Sequence, residues 1–303
     1  MPYLDVGEGH TMYYEKHGVS DGVPIVVLHG GPGGGSSKDY LQFFDLKKWF
    51  VVMYDQRGCG KSIPRLELKA NTTWHLIEDI EKLRKELGIS RWAVFGGSWG
   101  TTLALAYATK YLKNITGFLL RGICLIDDWE LKWQYSEDGV AKIYPVEWDK
   151  FVSGSCVKRD IKTRGKTMIK NYSKCLSNRK TRRNAAKHWW LWESSLSKLN
   201  QKIRTDGPKF EEEIATIENH YFKHGAWLKP GQLLKTAKKI KVPVIIVQGR
   251  YDMVCPAKSA YELAKALPNA KLVVSISGHS QSEKGNNIAL HKGAKQLYNL
   301  IKD

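Results

Sequence analysis

Three short apolar runs in the first hundred residues lead straight into glycine-rich turns. Residues 24–28 (PIVVL) precede HGGPGGG, residues 50–54 (FVVMY) precede DQRGCGKS, and residues 92–95 (WAVF) precede GGSWG. Runs of apolar residues without polar alternation suit strands covered on both faces, which is the condition of a parallel sheet. The covering helices are also legible. Leu76, Ile80, Leu83 and Leu87 recur at helical spacing over 74–87, with Asn71 to Thr73 as N-cap candidates and Gly88 as a stop. An apolar helix is expected over 101–111, an early strand over 10–15 and a further strand over 115–120. After Val242 the alternation resumes, with strands at 244–247 and 272–276 and helices at 257–266 and 288–301. The pattern is α/β.

Between these halves the pattern changes. Residues 126–231 show helical, charged sequence without clear buried strands, and they hold seven of the 11 tryptophans. The expected organisation is a core in two parts, 1–125 and 232–303, interrupted by a mainly helical insertion, 126–231. Such an insertion would lie as a lid over one end of the sheet. Ligands of open α/β sheets bind at the strands' carboxyl ends, so a lid there would shape the pocket.

Composition excludes several classes. The chain of 303 residues is 42% hydrophobic and 26% charged, enough for a large core. Neither a signal peptide nor a membrane-spanning apolar run is read from it, so a cytoplasmic setting without membrane association is expected. The five cysteines are scattered and form no CxxC pair, which argues against a zinc site or a disulfide framework. The formal charge is +18, and residues 150–187 carry 13 Lys/Arg against one acid, Asp160. A basic run can attract nucleic acid, but no nucleic-acid motif accompanies it, so a solvated helical face is the expectation.

The chemistry is concentrated at Ser98. Gly96-Gly97-Ser98-Trp99-Gly100 matches G-x-S-x-G, the nucleophile elbow of the α/β-hydrolases. A strand that turns abruptly into a helix with serine at the apex needs small residues two before and two after. Serine also needs a positioned base. Asp252 and His279 follow the strands at 244–247 and 272–276, in the chain order Ser, Asp, His found in that fold. The HGGPGGG loop brings flexible backbone near a ligand, and the N–H groups of Gly31 and Trp99 are the candidate oxyanion donors. A serine at the elbow argues against epoxide-hydrolase or dehalogenase chemistry, which uses an aspartate there.

Taken together, LHGGPGGG (28–35), YDQRGCGKS (54–62), GGSWGTTLALAYA (96–108), LLRGI (119–123), WLWE (190–193), IENHYF (217–222), GRYDMVCP (249–256) and GHS (278–280) resemble the proline iminopeptidases of the α/β-hydrolase fold. The resemblance implies an α/β-hydrolase core with a helical lid and a serine exopeptidase. It implies release of an N-terminal residue, preferably proline, through an acyl-enzyme, with no metal and no cofactor. It also implies that Glu193 and Glu218 hold the free N-terminal ammonium of the peptide and that Arg121 offsets their mutual repulsion. Buried carboxylates reject a substrate that leaves them unpaired, so such a site counts one residue from the amino end.

Two positions depart from the family pattern. Cys124 stands after the RGI triplet where an aromatic is usual, and Gln134 stands between Trp133 and Tyr135 in place of an aromatic. Val254 and Cys255 match the small wall of the side-chain pocket. The departures leave open a broader aminopeptidase, or an esterase or amidase on the same fold.

Overall fold

The computed structural model describes residues 2–156, 165–200 and 205–302. The middle of the basic run, 157–164, lies outside them.

The chain opens with an antiparallel pair, β1 (Tyr3–Gly7) and β2 (His10–Gly18), then enters the sheet with β3 (Val23–Leu28) and β4 (Trp49–Tyr54). Helix α1 (Thr73–Glu86) leads to β5 (Trp92–Gly97), α2 (Trp99–Tyr111) and β6 (Ile115–Arg121). Among the described residues, the α-helices that follow are α3 (Asp128–Tyr135), α4 (Pro145–Gly154), α5 (Gly165–Ser177), α6 (Arg182–Leu196) and α7 (Pro208–Lys223). The core resumes with α8 (Gln232–Ala237), β7 (Val244–Gly249), α9 (Ala257–Ala266), β8 (Ala270–Ser275) and α10 (Lys284–Ile301).

The eight strands form one sheet in the order β1-β2-β4-β3-β5-β6-β7-β8. Only the β1–β2 and β2–β4 pairings are antiparallel. The pleat sends alternate residues to opposite faces. Val26, Leu28, Val52 and Val94 face one buried layer, while Ile25, Val27, Val51, Ala93 and Phe95 face the other. This explains why these strands read as unbroken apolar runs. Strand β1 carries no such run, because it lies at the sheet edge and Val6 is its one buried residue. That is why the sequence pattern passes over it.

Strand order reverses between β3 and β5. The chain leaves β3 for β4 on one side and returns to β5 on the other. A crevice therefore opens outside their carboxyl ends, the usual ligand position in such sheets. The loop after β3 is HGGPGGG and the turn after β5 holds Ser98, so both candidate oxyanion donors flank this crevice.

Helix α1 begins as its sequence proposes. The Thr72 side chain accepts from His75 N–H, and Gly88 ends the helix region with φ +65°. Arg57 of the DQRG motif locks α1 in place. Its guanidinium forms two hydrogen bonds with Asp79 at 2.6 and 2.7 Å and also donates to Val6 O and Ala70 O. Both side chains of the pair are buried.

Helices α3 to α7 pack largely on one another through aromatic rings. Phe151 stacks on Tyr172 at 4.6 Å and on Trp192 at 5.4 Å, and Tyr135 stacks on Trp189 at 4.9 Å. Trp148, Trp189 and Trp192 thus extend the buried layer on one face of the sheet into these helices. The basic residues of α5 and α6 lie on the opposite side: Lys166, Lys170, Lys174, Arg183 and Lys187 are exposed.

The cysteine expectation needs correction. Cys156 and Cys175 form a disulfide. Their separation of 19 residues carries no signal in the sequence. They meet because Phe151 of α4 stacks on Tyr172 of α5, whose hydroxyl donates to Phe151 O. Among the described residues, no helix is long and apolar enough to cross a membrane.

Removing one partner of a buried ion pair leaves the other uncompensated, at about 3–5 kcal/mol. Arg57→Ala is expected to cost that much in urea unfolding, whereas an exposed control, Lys174→Ala, stays within about 0.5 kcal/mol.

Candidate active site

Ser98 joins β5 to α2 with φ +56° and ψ −126°, a conformation costly for any residue with a side chain. Its surroundings hold it there. Ser98 N–H donates to Arg121 O on the neighbouring β6, and Ser98 O accepts from Thr101 N–H and the Thr101 hydroxyl. The flanking glycines leave no room for a side chain. A Cβ on Gly96 would lie 2.4 Å from Gly100 O, and one on Gly100 would lie 2.1 Å from Leu28 O. The turn is thus pressed against the end of β3. Gly30 in turn packs on the elbow, where an added Cβ would lie 3.3 Å from Ser98 Cβ.

Asp252 and His279 meet across the ends of β7 and β8. His279 Nδ1 donates to Asp252 Oδ2 at 2.8 Å. The other carboxylate oxygen accepts from the N–H groups of Val254 and Cys255, and Gln248 Nε2 donates to Oδ2 at 3.1 Å. With its proton on Nδ1, the imidazole presents Nε2 as its basic atom. Ser197 O, just past α6, accepts from the N–H groups of His279 and Ser280, so the helical segment holds the histidine loop. Gly122 supports the ring from behind. Its φ is +60°, and a Cβ there would lie 3.0 Å from His279 Cε1.

Arg121 does not lie where the resemblance puts it. Its guanidinium donates to His279 Nε2 at 3.1 Å and to His279 O at 2.9 Å, not to either glutamate. Arg121 thus occupies the basic nitrogen, and Ser98 Oγ lies 4.0 Å from Cys255 Sγ. The side chain departs from the end of β6, beside Ser98, and a Cβ on Gly97 would touch it at 2.6 Å. That position gives it the histidine, not the carboxylates.

Glu193 of α6 and Glu218 of α7 line the same cavity as neighbours. They are 8% and 3% exposed, with no cation paired to either among the described residues. Their partners are neutral donors. Tyr135 OH and Gln134 Nε2 donate to Glu193 Oε1, and Trp189 Nε1 donates to Glu218 Oε2 at 2.7 Å. Burial pushes both carboxyls above their usual range, and the neighbouring Glu193 charge adds to the rise at Glu218. Both effects favour the protonated form.

Gln134 belongs to this carboxylate end, not to the side-chain end expected of it. It lies on α3 next to Tyr135, and both reach the same Glu193 oxygen. Cys124 and Cys255 line the same cavity, with Cys255 Sγ 4.0 Å from Ser98 Oγ.

One cavity of about 190 Å³ is lined by Gly31, Ser98, Trp99, Arg121, Cys124, Gln134, Glu193, Glu218, Val254, Cys255 and His279. Asp252 stands behind His279. Sequence reasoning passed over Trp190, Ser197, Ile214 and Phe222 on the same walls. Trp190 and Phe222 fall inside the quoted WLWE and IENHYF stretches, whereas Ile214 and Ser197 carry no motif. A second cavity of about 630 Å³ adjoins the first and shares Arg121, Trp190, Ser197 and His279 with it.

A family profile described as the alpha/beta hydrolase fold matches residues 23–285. A probable proline iminopeptidase of Leptolyngbya boryana is 45% identical, over 93% of this chain and 89% of its own length. The chain belongs to the proline iminopeptidase family. Proline iminopeptidases of Xylella fastidiosa and Arabidopsis thaliana are each 43% identical, over 95% and 93% of this chain and 93% and 75% of their own lengths. Among solved structures, a putative aryl esterase from Burkholderia cenocepacia superposes with a TM-score of 0.69 at 16% identity, covering 99% of both chains. An alpha/beta fold family hydrolase from Bacillus anthracis superposes at 0.67 and 18% identity, over 96% of each. At these identities the likeness is one of fold.

The carboxyl pair links stability to pH. A carboxyl that holds its proton more tightly folded than unfolded stabilises the fold while protonated and loses that contribution as pH rises. Wild-type thermal stability is therefore expected to fall relative to Glu218→Gln as pH increases from 5 to 9. Scanning calorimetry across that range checks it, and parallel curves would contradict the raised carboxyls.

Proposed function

We propose that the protein is a serine exopeptidase that removes N-terminal proline from peptides with a free amino terminus. The buried, cation-free Glu193–Glu218 pair in the same cavity as Ser98 carries this reading. A buried pair of acids without a counter-charge is unfavourable unless a ligand supplies one. A terminal ammonium does so. The neutral donors Tyr135, Gln134 and Trp189 fix both carboxylates without competing as cations. Helices α3 to α7 act as the lid that carries these groups over the strand ends.

The ammonium sets the register, so the first peptide carbonyl lies at Ser98. His279 takes the Ser98 proton once Nε2 leaves Arg121 for the hydroxyl, and Asp252 stabilises the imidazolium. Gly31 and Trp99 N–H groups hold the oxyanion. His279 then protonates the leaving amine, and the departing peptide occupies the larger cavity beyond His279. Water enters and releases proline from the acyl-serine. The compact ring packs among Phe222, Ile214, Cys124, Val254 and Cys255, which line the remaining wall. Cys124 makes that wall smaller than an aromatic would. It favours a second reading, in which alanine and other small residues are also accepted. The free thiols Cys59, Cys124 and Cys255 support a cytosolic setting, whereas the Cys156–Cys175 disulfide runs against one.

Prolyl and alanyl arylamides, each free and N-acetylated, test the register. Acetylation is expected to lower kcat/KM at least about 100-fold, since two charge-assisted contacts of about 1.5–3 kcal/mol are lost. Equal cleavage of blocked substrates would overturn the exopeptidase reading. Glu218→Gln should lose about 10- to 100-fold on free substrates and almost nothing on acetylated ones. Ser98→Ala should abolish both.

A further inference from the structure

The two candidate oxyanion donors sit on separate loops. Gly31 follows β3 with φ +108°, while Trp99 opens α2. Their spacing must suit a tetrahedral oxygen to a few tenths of an ångström, and neither loop can set it alone. A third segment ties them together.

Gln56, just past β4, is 2% exposed and uses its whole side chain. Its Nε2 donates to His29 O at 2.9 Å, at the root of the glycine loop. Its Oε1 accepts from Trp99 Nε1 at 2.9 Å. The Gln56 backbone N–H donates to His29 Nε2 at 3.0 Å. That bond determines the tautomer: His29 Nε2 must accept, so Nδ1 carries the proton and donates to Gly30 O at 2.9 Å. Gly30 O also accepts from Gly34 N–H at 3.3 Å, closing the loop around Gly31. The imidazole is fully buried, and desolvation lowers its pKa, so it stays neutral in this role. On the other side, the Trp99 indole is 1% exposed and packs edge-on against Tyr221 at 4.8 Å. Its orientation is thus set by one ring and one hydrogen bond.

We propose that Gln56 is a positioning residue that fixes the distance between the Gly31 and Trp99 N–H groups, acting through His29 on one side and the Trp99 indole on the other. Gln56 itself touches no substrate, since it does not line the site cavity. The proposal rests on the reading that these two groups bind the oxyanion. The bridge needs a donor toward His29 O and an acceptor toward Trp99 Nε1 on one planar group, and the same amide on asparagine is one methylene shorter. Glutamate keeps the acceptor and loses the donor. Leucine loses both.

The test measures kcat, KM and two inhibition constants for wild type, Gln56→Glu and Gln56→Leu. One inhibitor is prolinal, an aldehyde that adds Ser98 and forms a tetrahedral oxyanion. The other is pyrrolidine, the ring amine without an acyl carbon, which offers no oxygen to the oxyanion donors. Both variants are expected to lose about 10- to 100-fold in kcat and a similar factor in prolinal affinity, with KM and pyrrolidine affinity within about threefold. If Gln56→Leu does not fold, Gln56→Glu, which preserves volume and shape, carries the same comparison. Unchanged prolinal affinity in a variant that folds overturns the proposal. So does a loss shared equally by prolinal and pyrrolidine, which would mean a structural role alone. If wild type binds prolinal no tighter than pyrrolidine, the oxyanion reading fails with it.

Discussion

The turn at Ser98 governs the rest of the structure. A serine at φ +56° is tolerable only where neighbouring strands hold it, and here the elbow is clamped between β3 and β6. Gly100 lies against the last carbonyl of β3, and Gly96 against the first turn of α2. The close approach brings the HGGPGGG loop beside the hydroxyl. It also puts the strand reversal between β3 and β5 directly under the reacting centre. Sheet order, loop placement and nucleophile are therefore one geometric problem with one solution.

Electrostatics above the elbow run in the opposite direction from ordinary stabilisation. Two buried acids lie together with no cation paired to either among the described residues, held by the aromatic packing of α3 to α7. Arg121, the cation within reach, is engaged by His279. Burial raises both carboxyls. On the proposed reading, a terminal ammonium supplies the missing counter-charge at the point where register is read. Stability is surrendered where recognition needs it, a common pattern at functional sites.

Much of this was legible in the linear chain. Buried strands read as apolar runs because both sheet faces are covered, and the glycines of G-x-S-x-G report a contact that no larger residue survives. Other parts were not legible. β1 escaped because an edge strand with one buried residue has no pattern to show. The Cys156–Cys175 pairing escaped because it depends on an aromatic stack between α4 and α5. Gln134 was placed at the wrong end of the pocket because its neighbours in sequence say nothing of which helix it faces. Arg121 was assigned to the glutamates, although the end of β6 brings it first to the histidine. Gln56 stood in a quoted motif, but a glutamine that bridges two distant loops has no local signature.

Fold class and family were readable from the linear chain, which also set Ser98, Asp252 and His279 in the chain order found in that fold. Each of these rests on short-range spacing: apolar runs, glycines at fixed offsets, and residues at strand ends. Packing between distant segments set the partners of Arg121, Gln134 and Gln56, the burial that raises the Glu193 and Glu218 carboxyls, and the disulfide. These depend on burial and on contacts between segments as far as 158 residues apart. A dielectric environment and a distance between two elements belong to the packed molecule, and no local stretch of chain encodes either.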